Sequence, residues 1–215
     1  MSVWNDAGFS VSSTAMKLYN SAVSGNCYKV RLLLAHLGID YDCVDIDHKT
    51  DLAKRPGKFL ERHPTGRVPL LELDDGTRLA ESNAILAYLA EGTPYLPDDR
   101  LARARVLQWM FFEQNNHEPS IATRRNWVFL RKEPDKRRYQ LALWLDNGLA
   151  ALGTMERHLA HSEFFGPEGY SIADISLYGY THCADEGGFE LDRFPSVLAW
   201  LERVRQQPGH VLMRP

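Results

Sequence analysis

The sequence predicts a two-domain protein in which a small α/β domain precedes an all-helical domain. Residues 16–91 alternate strand-like and helix-like patterns in the order β-α-β-α-β-β-α. A βαβ unit that leads into a hairpin and a helix is typical of a mixed sheet covered by helices. Residues 101–215 have helical patterns throughout, which indicates a helical bundle. We interpret residues 92–100 as a linker and residues 1–15 as a flexible extension.

Each element of the first domain has its own local signal. The first helix has an apolar stripe at Val30, Leu33, Leu34 and Leu37 and should end at Gly38. The turn "DDG" between two apolar runs predicts a hairpin. The assigned segments are, in chain order, "MKLYNS" (strand), "SGNCYKVRLLLAHLG" (helix), "YDCVDID" (strand), "LAKRPGKFLERH" (helix interrupted near Pro56), "VPLLEL" and "TRLA" (hairpin strands) and "ESNAILAYLAEG" (helix).

Prolines and one capping signal mark the helices of the second domain. The segment "LARARVLQWMFFEQNNH" should form a helix that ends near Pro119, and Pro134 can begin the long helix through "YQLALWLDNGLAALGTMERHLA". In "SIADISLYGYTHCA", Ser171 and Asp174 resemble a capping box, which gives Asp174 a structural rather than a catalytic role. The segment "PSVLAWLERVRQQ" should form the last helix.

Composition and charge exclude several classes of function. The 215 residues are 44% hydrophobic and 25% charged, and the net charge of -3 gives no general attraction to nucleic acid or anionic lipid. The basic stretch "RRNWVFLRKEPDKRR" is better explained by solvated helices than by a nucleic-acid site. No apolar run approaches the about 20 residues that span a membrane. We therefore expect no nucleic-acid partner and no membrane partner.

The cysteines and the N-terminus indicate a reducing compartment. Cys27, Cys43 and Cys183 form no C-x-x-C pair, so neither a disulfide framework nor a zinc site is indicated, and we expect no metal. The segment "MSVWNDAGFSVSSTA" lacks the basic start, apolar middle and cleavage site of a secretory signal. A cytoplasmic location fits these features best.

The first turn of the first helix contains three small polar side chains, those of Ser24, Asn26 and Cys27. Such groups at a helix N-terminus can be simple caps. They can also join the free N–H groups and the positive end of the helix dipole in binding an anion. These residues alone leave both interpretations open.

Two later segments could hold the ends of a peptide. Pro69 stands at the entry of a strand, where a cis bond would turn the backbone of Val68 toward a ligand. The helix that begins near Glu81 and Ser82 offers N–H groups and a hydroxyl to a carboxylate, and the Glu81 carboxylate could hold an ammonium group. Plain N-capping is the alternative.

Arg67 and Lys54 could supply the positive charge that a second carboxylate needs, unless they are only solvated. A peptide held by these groups would lie near the start of the first helix, so a thiol on the peptide would meet Ser24. A hydroxyl donor and a helix N-terminus can lower a thiol pKa of about 8.5 by roughly one to two units. The thiolate fraction near neutral pH then rises about tenfold, and no general base is required.

The sequence resembles the glutathione transferases from residue 16 to about residue 210. The resemblance rests on "LYNSAVSGNCYKVRLLL", "HPTGRVPLLELDDGTRLAESNAILAYLA", "YSIADISLYGY" and "FPSVLAWLERVRQQP", in that order. It implies a thioredoxin-like N-terminal domain, an all-helical C-terminal domain and a homodimer. It also implies that glutathione binds in the first domain beside an electrophile pocket in the second.

The resemblance gives each candidate residue a role. Ser24 falls where serine-type members carry the hydroxyl that stabilises the thiolate, and Asn26 falls where a bacterial subgroup carries an asparagine that shares this task. Val68 matches the residue whose backbone pairs with the cysteinyl part of glutathione. Glu81 and Ser82 match the γ-glutamyl binders.

Three more residues take roles from the resemblance. Arg67 and Lys54 match positions at the glycyl end of glutathione. Cys27 has two interpretations, because some bacterial relatives form a mixed disulfide through a cysteine near this place, whereas a free cysteine is usually a packing thiol.

The electrophile pocket should involve the first helix of the second domain. Trp109, Phe112 and Asn116 share one face of this helix, and Tyr19 at the end of the first strand is a further candidate. An aromatic stripe that packs in the core is the alternative.

The function expected from the resemblance is conjugation of glutathione to a small hydrophobic electrophile. The sequence does not separate conjugation from a glutathione-dependent isomerase or dehalogenase, which use the same thiolate. A glutathione-dependent disulfide reductase or peroxidase is the second hypothesis. A non-catalytic interaction module with the same fold is the third.

Overall fold

The structure is a computed structural model that describes residues 16–47, 63 and 65–214. The strands are β1 (Lys17–Asn20), β2 (Asp42–Asp45), β3 (Leu70–Glu72) and β4 (Arg78–Ala80). The helices are α1 (Gly25–Leu37), α2 (Ser82–Ala90), α3 (Arg100–Phe112), α4 (Glu118–Arg125), α5 (Arg138–Leu159), α6 (Ile172–Thr181) and α7 (Pro195–Arg205). The predicted extension 1–15 and nearly all of the predicted helix "LAKRPGKFLERH" lie outside the described residues.

The four strands form one mixed sheet in the order β2-β1-β3-β4. Strand β1 is parallel to β2 and antiparallel to β3, so the buried Leu18 lies between Cys43 and Leu71. Strands β3 and β4 form the predicted hairpin, and its turn contains Gly76 with a φ of 83°. This sheet and the helical second half confirm the predicted fold class.

Helix α1 connects the sheet to the helical bundle. It begins at the cap residue Ser24 and ends at Gly38, whose φ of 64° is in the left-handed region that favours glycine. The predicted stripe is buried at Val30, Leu33 and Leu34, and α1 packs against both α2 and α6. One hydrophobic core therefore extends from the sheet into the bundle. Within the described part of the chain, no helix combines the length and the apolar character that crossing a membrane requires.

The prediction that a helix ends near Pro119 is wrong, because the helical path continues to Leu130. A π-helical turn at Glu113–His117 links α3 to α4, and a second one follows at Asn126–Leu130. Pro119 lies in the first turn of α4. An α-helix would press the proline ring against the carbonyl group four residues earlier, and the extra residue of a π turn relieves that contact.

The predicted starts of the last three helices are confirmed. Pro134 begins the turn that leads into α5, and Pro195 begins α7. At α6, Ser171 and Asp174 form the capping box, with the Ser171 N–H donating to Asp174 Oδ2 at 3.0 Å. The buried Asp174 carboxylate also accepts from the N–H of Phe165, at 2.9 Å. Its hydrogen bonds are thus structural.

A buried ion pair fixes the first π turn against the N-terminal domain. Lys29 Nζ of α1 lies 2.8 Å from Glu113 Oε1, and both side chains are fully buried. The other oxygen, Oε2, accepts from Asn83 Nδ2 at 3.1 Å and from Ser176 Oγ at 3.2 Å. Burial raises the pKa of Glu113, and the Lys29 charge opposes that rise. Since Glu118 lies one turn further on, this pair also sets where α4 meets α1.

Candidate active site

Two adjoining cavities lie among the start of α1, the loop before β3, the start of α2 and helix α4. The larger one, the Ser24 cavity, has a volume of about 330 Å³. The smaller one, the Glu81 cavity, has a volume of about 70 Å³. The residues that line both are Asn26, Arg67, Val68 and Glu118.

The structure brings together most of the residues predicted to hold glutathione. Those in the walls of the two cavities are Ser24, Asn26, Arg67, Val68, Glu81 and Ser82. Lys54 lies outside the described residues. Residues more than forty positions apart in the sequence therefore meet at one place.

Ser24 is both a helix cap and a wall of the Ser24 cavity. Its Oγ accepts a hydrogen bond from the Cys27 N–H at 3.3 Å. A hydroxyl that accepts in this way keeps its own proton for donation. Capping and anion binding, the two interpretations of this turn, are therefore compatible in one side chain.

Asn26 connects the two domains across the cavities. Its Nδ2 donates to Glu118 Oε1 at 3.0 Å, and its Oδ1 accepts from Ser82 Oγ at 3.2 Å. An ionised carboxylate can only accept, so the amide nitrogen must face Glu118. One N–H of Asn26 remains for a ligand, whereas the Ser24 hydroxyl also interacts with the side chains of Cys27 and Tyr180.

The Glu81 cavity is lined by Val68, Pro69, Glu81 and Ser82, among others. The Val68–Pro69 bond is cis, as the position of Pro69 suggested. Glu81 has a φ of 67°, a left-handed value uncommon outside glycine, and its side chain makes no capping hydrogen bond to α2. Its exposed carboxylate therefore lies beside the helix start without being used as the cap.

Cys27 has the properties of a packing thiol. Its side chain is fully buried, and burial raises its pKa to about 11 against the lowering effect of a hydrogen bond to Ser24. The Ser21 N–H also donates to its sulfur at 3.3 Å. A thiol with this pKa is protonated near neutral pH and is a poor nucleophile.

The residues predicted for the electrophile pocket do not line the Ser24 cavity. Trp109 lines a separate cavity with His158 and Phe165, and Phe112 and Asn116 line another, between α4 and α5. The physical reason is the continuation of the helix past Pro119, which brings later residues to the start of α1.

Tyr19 is also placed elsewhere. It is 4% exposed and packs in a small apolar cluster with Leu70, Val44 and Val68. Its hydroxyl donates to Glu72 at 3.5 Å. Strand β1 thus directs this ring into the sheet's packing and not into the Ser24 cavity.

The wall of the Ser24 cavity opposite α1 consists of residues that the sequence patterns did not predict. They are Glu118, Ala122, Arg125, Asn126, Leu130 and Tyr180. Glu118, Ala122 and Asn126 recur at a spacing of four, which is the signal of one helix face. This spacing indicates a shared face only if the helix is predicted to continue past Pro119.

The chemistry of the Ser24 cavity is polar and partly cationic. Arg67 and Arg125 contribute positive charge, Glu118 contributes negative charge, and Ala122 and Leu130 are apolar. Among the described residues, no group of three or more His, Cys, Asp or Glu side chains could hold a metal ion. An anionic atom beside Ser24 can accept a hydrogen bond from its hydroxyl and is also stabilised by the N-terminus of α1.

Comparisons with known proteins identify the family. Residues 23–91 match the glutathione S-transferase N-terminal domain, and residues 136–203 match the C-terminal domain. A crystal structure of a glutathione S-transferase from Pseudomonas fluorescens is 45% identical, with a TM-score of 0.89 over 93% of this chain and 99% of its own. A possible glutathione S-transferase from Rhodopseudomonas palustris is 49% identical, with a TM-score of 0.88 over 92% of this chain and 89% of its own.

A curated relative carries a different activity in its name. The disulfide-bond oxidoreductase YfcG of Escherichia coli is 29% identical over 202 residues, which are 90% of this chain and 93% of that protein. Both domains match in order, and solved relatives share more than two fifths of the sequence over nearly their whole length. This chain therefore belongs to the glutathione S-transferase family.

Proposed function

We propose that this chain is a glutathione transferase in which Ser24 stabilises the thiolate of bound glutathione. The observation that carries the proposal is the geometry of Ser24. Its hydroxyl caps α1 by accepting from Cys27 N and lies in the wall of a cavity with Val68 and Asn26, where its proton can be donated to a bound anion.

In this proposal glutathione occupies both cavities. Its γ-glutamyl end takes the Glu81 cavity, where Glu81 meets the ammonium group and Ser82 with the start of α2 meets the carboxylate. The Val68 backbone pairs with the cysteinyl part, and the glycyl carboxylate extends toward Arg67 and Lys54. The sulfur then lies beside Ser24.

The chemical step needs no general base from the protein. The bound thiol loses its proton to solvent, because the Ser24 hydroxyl and the start of α1 stabilise the thiolate. The sulfur forms a bond to the electrophilic carbon, and the leaving group departs with its electron pair. Holding both reactants in one site supplies much of the rate acceleration.

Binding and turnover test this proposal directly. Calorimetry should detect one glutathione per chain, and a panel of aryl halides, epoxides and enones should include substrates whose conjugates are identified by mass. Product identification also separates conjugation from isomerase and dehalogenase reactions. Protein that neither binds glutathione nor turns over any of the panel would contradict the proposal.

A second candidate function is glutathione-dependent disulfide reduction, which the name of the relative YfcG favours. The buried Cys27 with its raised pKa supports a route in which glutathione alone carries the thiol chemistry. One glutathione thiolate would attack the disulfide, forming a mixed disulfide and releasing one thiol of the substrate. A second glutathione thiolate would attack the glutathione sulfur of the mixed disulfide, releasing the other thiol and forming glutathione disulfide. Activity on hydroxyethyl disulfide that survives Cys27→Ser would support this route.

Three further proposals follow from the family. We propose a homodimer in the cytoplasm, with residues 16–91 as the glutathione-binding domain and residues 101–215 as the helical domain. The three free cysteines are compatible with a reducing compartment. The molar mass from light scattering in solution tests the dimer. Glutathione binding without turnover of any electrophile would favour the non-catalytic module over the transferase.

A further inference from the structure

Arg125 of α4 is a buried cation in the wall of the Ser24 cavity. Its side chain is 1% exposed. Nε donates to Glu186 Oε2 at 2.5 Å, and Nη1 donates to the carbonyl oxygen of Val23 at 2.7 Å. Nη2 is buried and has no hydrogen-bond partner among the described residues. A buried N–H donor without a partner destabilises the fold, so a ligand that brings an acceptor to Nη2 would be stabilised there.

Arg125 does not have its carboxylate partner to itself. Glu186 also pairs with Arg214, so one carboxylate is shared between two guanidinium groups. A buried cation is stabilised when an anion completes its environment.

The Arg125 guanidinium lies close to Ser24, the residue proposed to hold the glutathione sulfur. Nη1 holds the carbonyl group of Val23, the residue directly before Ser24. A single small molecule could therefore contact the Arg125 guanidinium at one end and a sulfur held by Ser24 at the other. Ala122 and Leu130, in the same cavity, can pack against a carbon skeleton, and Asn126 adds a polar side chain.

We propose that Arg125 binds a carboxylate of the second substrate, so that the preferred electrophiles are small anionic molecules rather than purely hydrophobic ones. This inference rests on the proposed function, because it assigns the substrate class of the same site. With an aryl chloride, the sulfur–carbon bond forms and the carbon–chlorine bond breaks. Chloride leaves with the electron pair, and the thiol proton goes to solvent.

A matched pair of electrophiles tests the inference. The acid is an aryl chloride with a nitro group ortho and a carboxylate para to the chlorine, and the reference has a carboxamide in place of the carboxylate. Each kcat/KM is divided by the rate constant for the same electrophile with free glutathione, which removes intrinsic reactivity. We expect the parent to favour the acid about ten- to a hundredfold, as a charge-assisted hydrogen bond to a carboxylate allows.

Three variants assign the preference to Arg125. Arg125→Gln should remove the preference, which is read as the ratio of the acid and amide kcat/KM values, because an effect passed through Val23 to Ser24 acts on both electrophiles and cancels in that ratio. Arg125→Lys should keep part of it. The control is Arg124→Gln, because Arg124 donates to the carbonyls of Gly187 and Leu141 and does not line the Ser24 cavity. This control should keep the full preference.

Inhibition of the parent by benzoate gives a readout that does not depend on variant folding. Benzoate should compete with the neutral aryl chloride and not with glutathione, and benzamide should not compete. The inference is overturned if the parent shows no corrected preference for the acid, if Arg125→Gln slows both electrophiles equally, or if benzoate competes with glutathione. If the parent conjugates no electrophile at all, the proposed function fails instead.

Discussion

Replacing Glu113 with glutamine should strongly destabilise the protein, because the ammonium group of Lys29 would then be buried without a counter-charge. The two groups lie 2.8 Å apart and neither is exposed to solvent. Glutamine keeps the size of the side chain and an oxygen that can accept from Asn83 and Ser176, which the carboxylate does in the parent. The substitution removes the counter-charge and one acceptor, because the amide N–H group must face either Lys29 or the donors Asn83 and Ser176.

The expected cost follows from the burial of the pair. Breaking a buried ion pair from one side costs roughly 3 to 5 kcal/mol, whereas exposed pairs contribute about 1 kcal/mol or less. For a chain of this size, each kcal/mol lowers Tm by about 2 to 4 °C, so Glu113→Gln should lower Tm by roughly 6 to 20 °C. The surface pair of Arg103 and Glu91 supplies the control, and Glu91→Gln should change Tm only slightly.

Urea and thermal unfolding of four proteins measure this effect. They are the parent, Glu113→Gln, Glu91→Gln and the double variant Lys29→Met/Glu113→Gln. The double variant should recover much of the loss, because it removes both charges. The ion-pair interpretation is refuted if the free energy of unfolding of Glu113→Gln stays within about 1 kcal/mol of the parent value. It is also refuted if the double variant is less stable than Glu113→Gln by roughly another 3 to 5 kcal/mol.

Three further outcomes are expected. Asp174→Ala should cost at least about 3 kcal/mol in urea unfolding, since it leaves buried N–H groups such as Trp200 Nε1 unpaired, while the kcat of the folded protein stays unchanged. Burial lowers the pKa of His117 to about 3, below the ordinary 6.5, so its contribution to stability is full above pH 6.5 and is lost as the pH falls toward 3; in His117→Phe the free energy of unfolding should fall less steeply on acidification. Iodoacetamide should modify the exposed Cys43 of the native protein well before the buried Cys27, and mass spectrometry of timed samples checks the order.

The fold could be predicted from the sequence because its signals are local. A cap residue, a left-handed glycine and an apolar stripe define α1 within fifteen positions, and Gly76 marks the hairpin turn in the same way. The capping box at Ser171 and Asp174 is equally local. Each of these signals agrees with the packing that the structure shows, which is the usual mark of a sequence that specifies one fold.

The wall opposite Ser24 could not be predicted because it depends on distant contacts. Taken alone, Pro119 is a helix stop. In the folded chain it begins a new helical segment after a π turn, and that turn is held by the ion pair between Glu113 and Lys29, which are 84 positions apart. The residues proposed to hold glutathione could be named from the sequence because they follow a family pattern, whereas Arg125 matched no motif.

The measurement closest to the central claim is the ionisation of the bound thiol. The ultraviolet absorbance of the thiolate is recorded against pH for glutathione bound to the parent, Ser24→Ala, Ser24→Gly, Ser24→Thr and Asn26→Ala. The glycine variant separates the hydroxyl from helix capping, because glycine at this cap costs only a few tenths of a kcal/mol.

The parent should show a thiol pKa roughly one to two units below the about 8.5 of a free thiol. Ser24→Ala and Ser24→Gly should return the pKa toward about 8.5 with glutathione affinity within a few-fold, and turnover near neutral pH should fall about ten- to a hundredfold. Ser24→Thr should keep the parent's curve, and Asn26→Ala should shift it less than Ser24→Ala does. An unchanged curve in Ser24→Ala, or a full shift in Asn26→Ala alone, would contradict the assignment of the thiolate to Ser24.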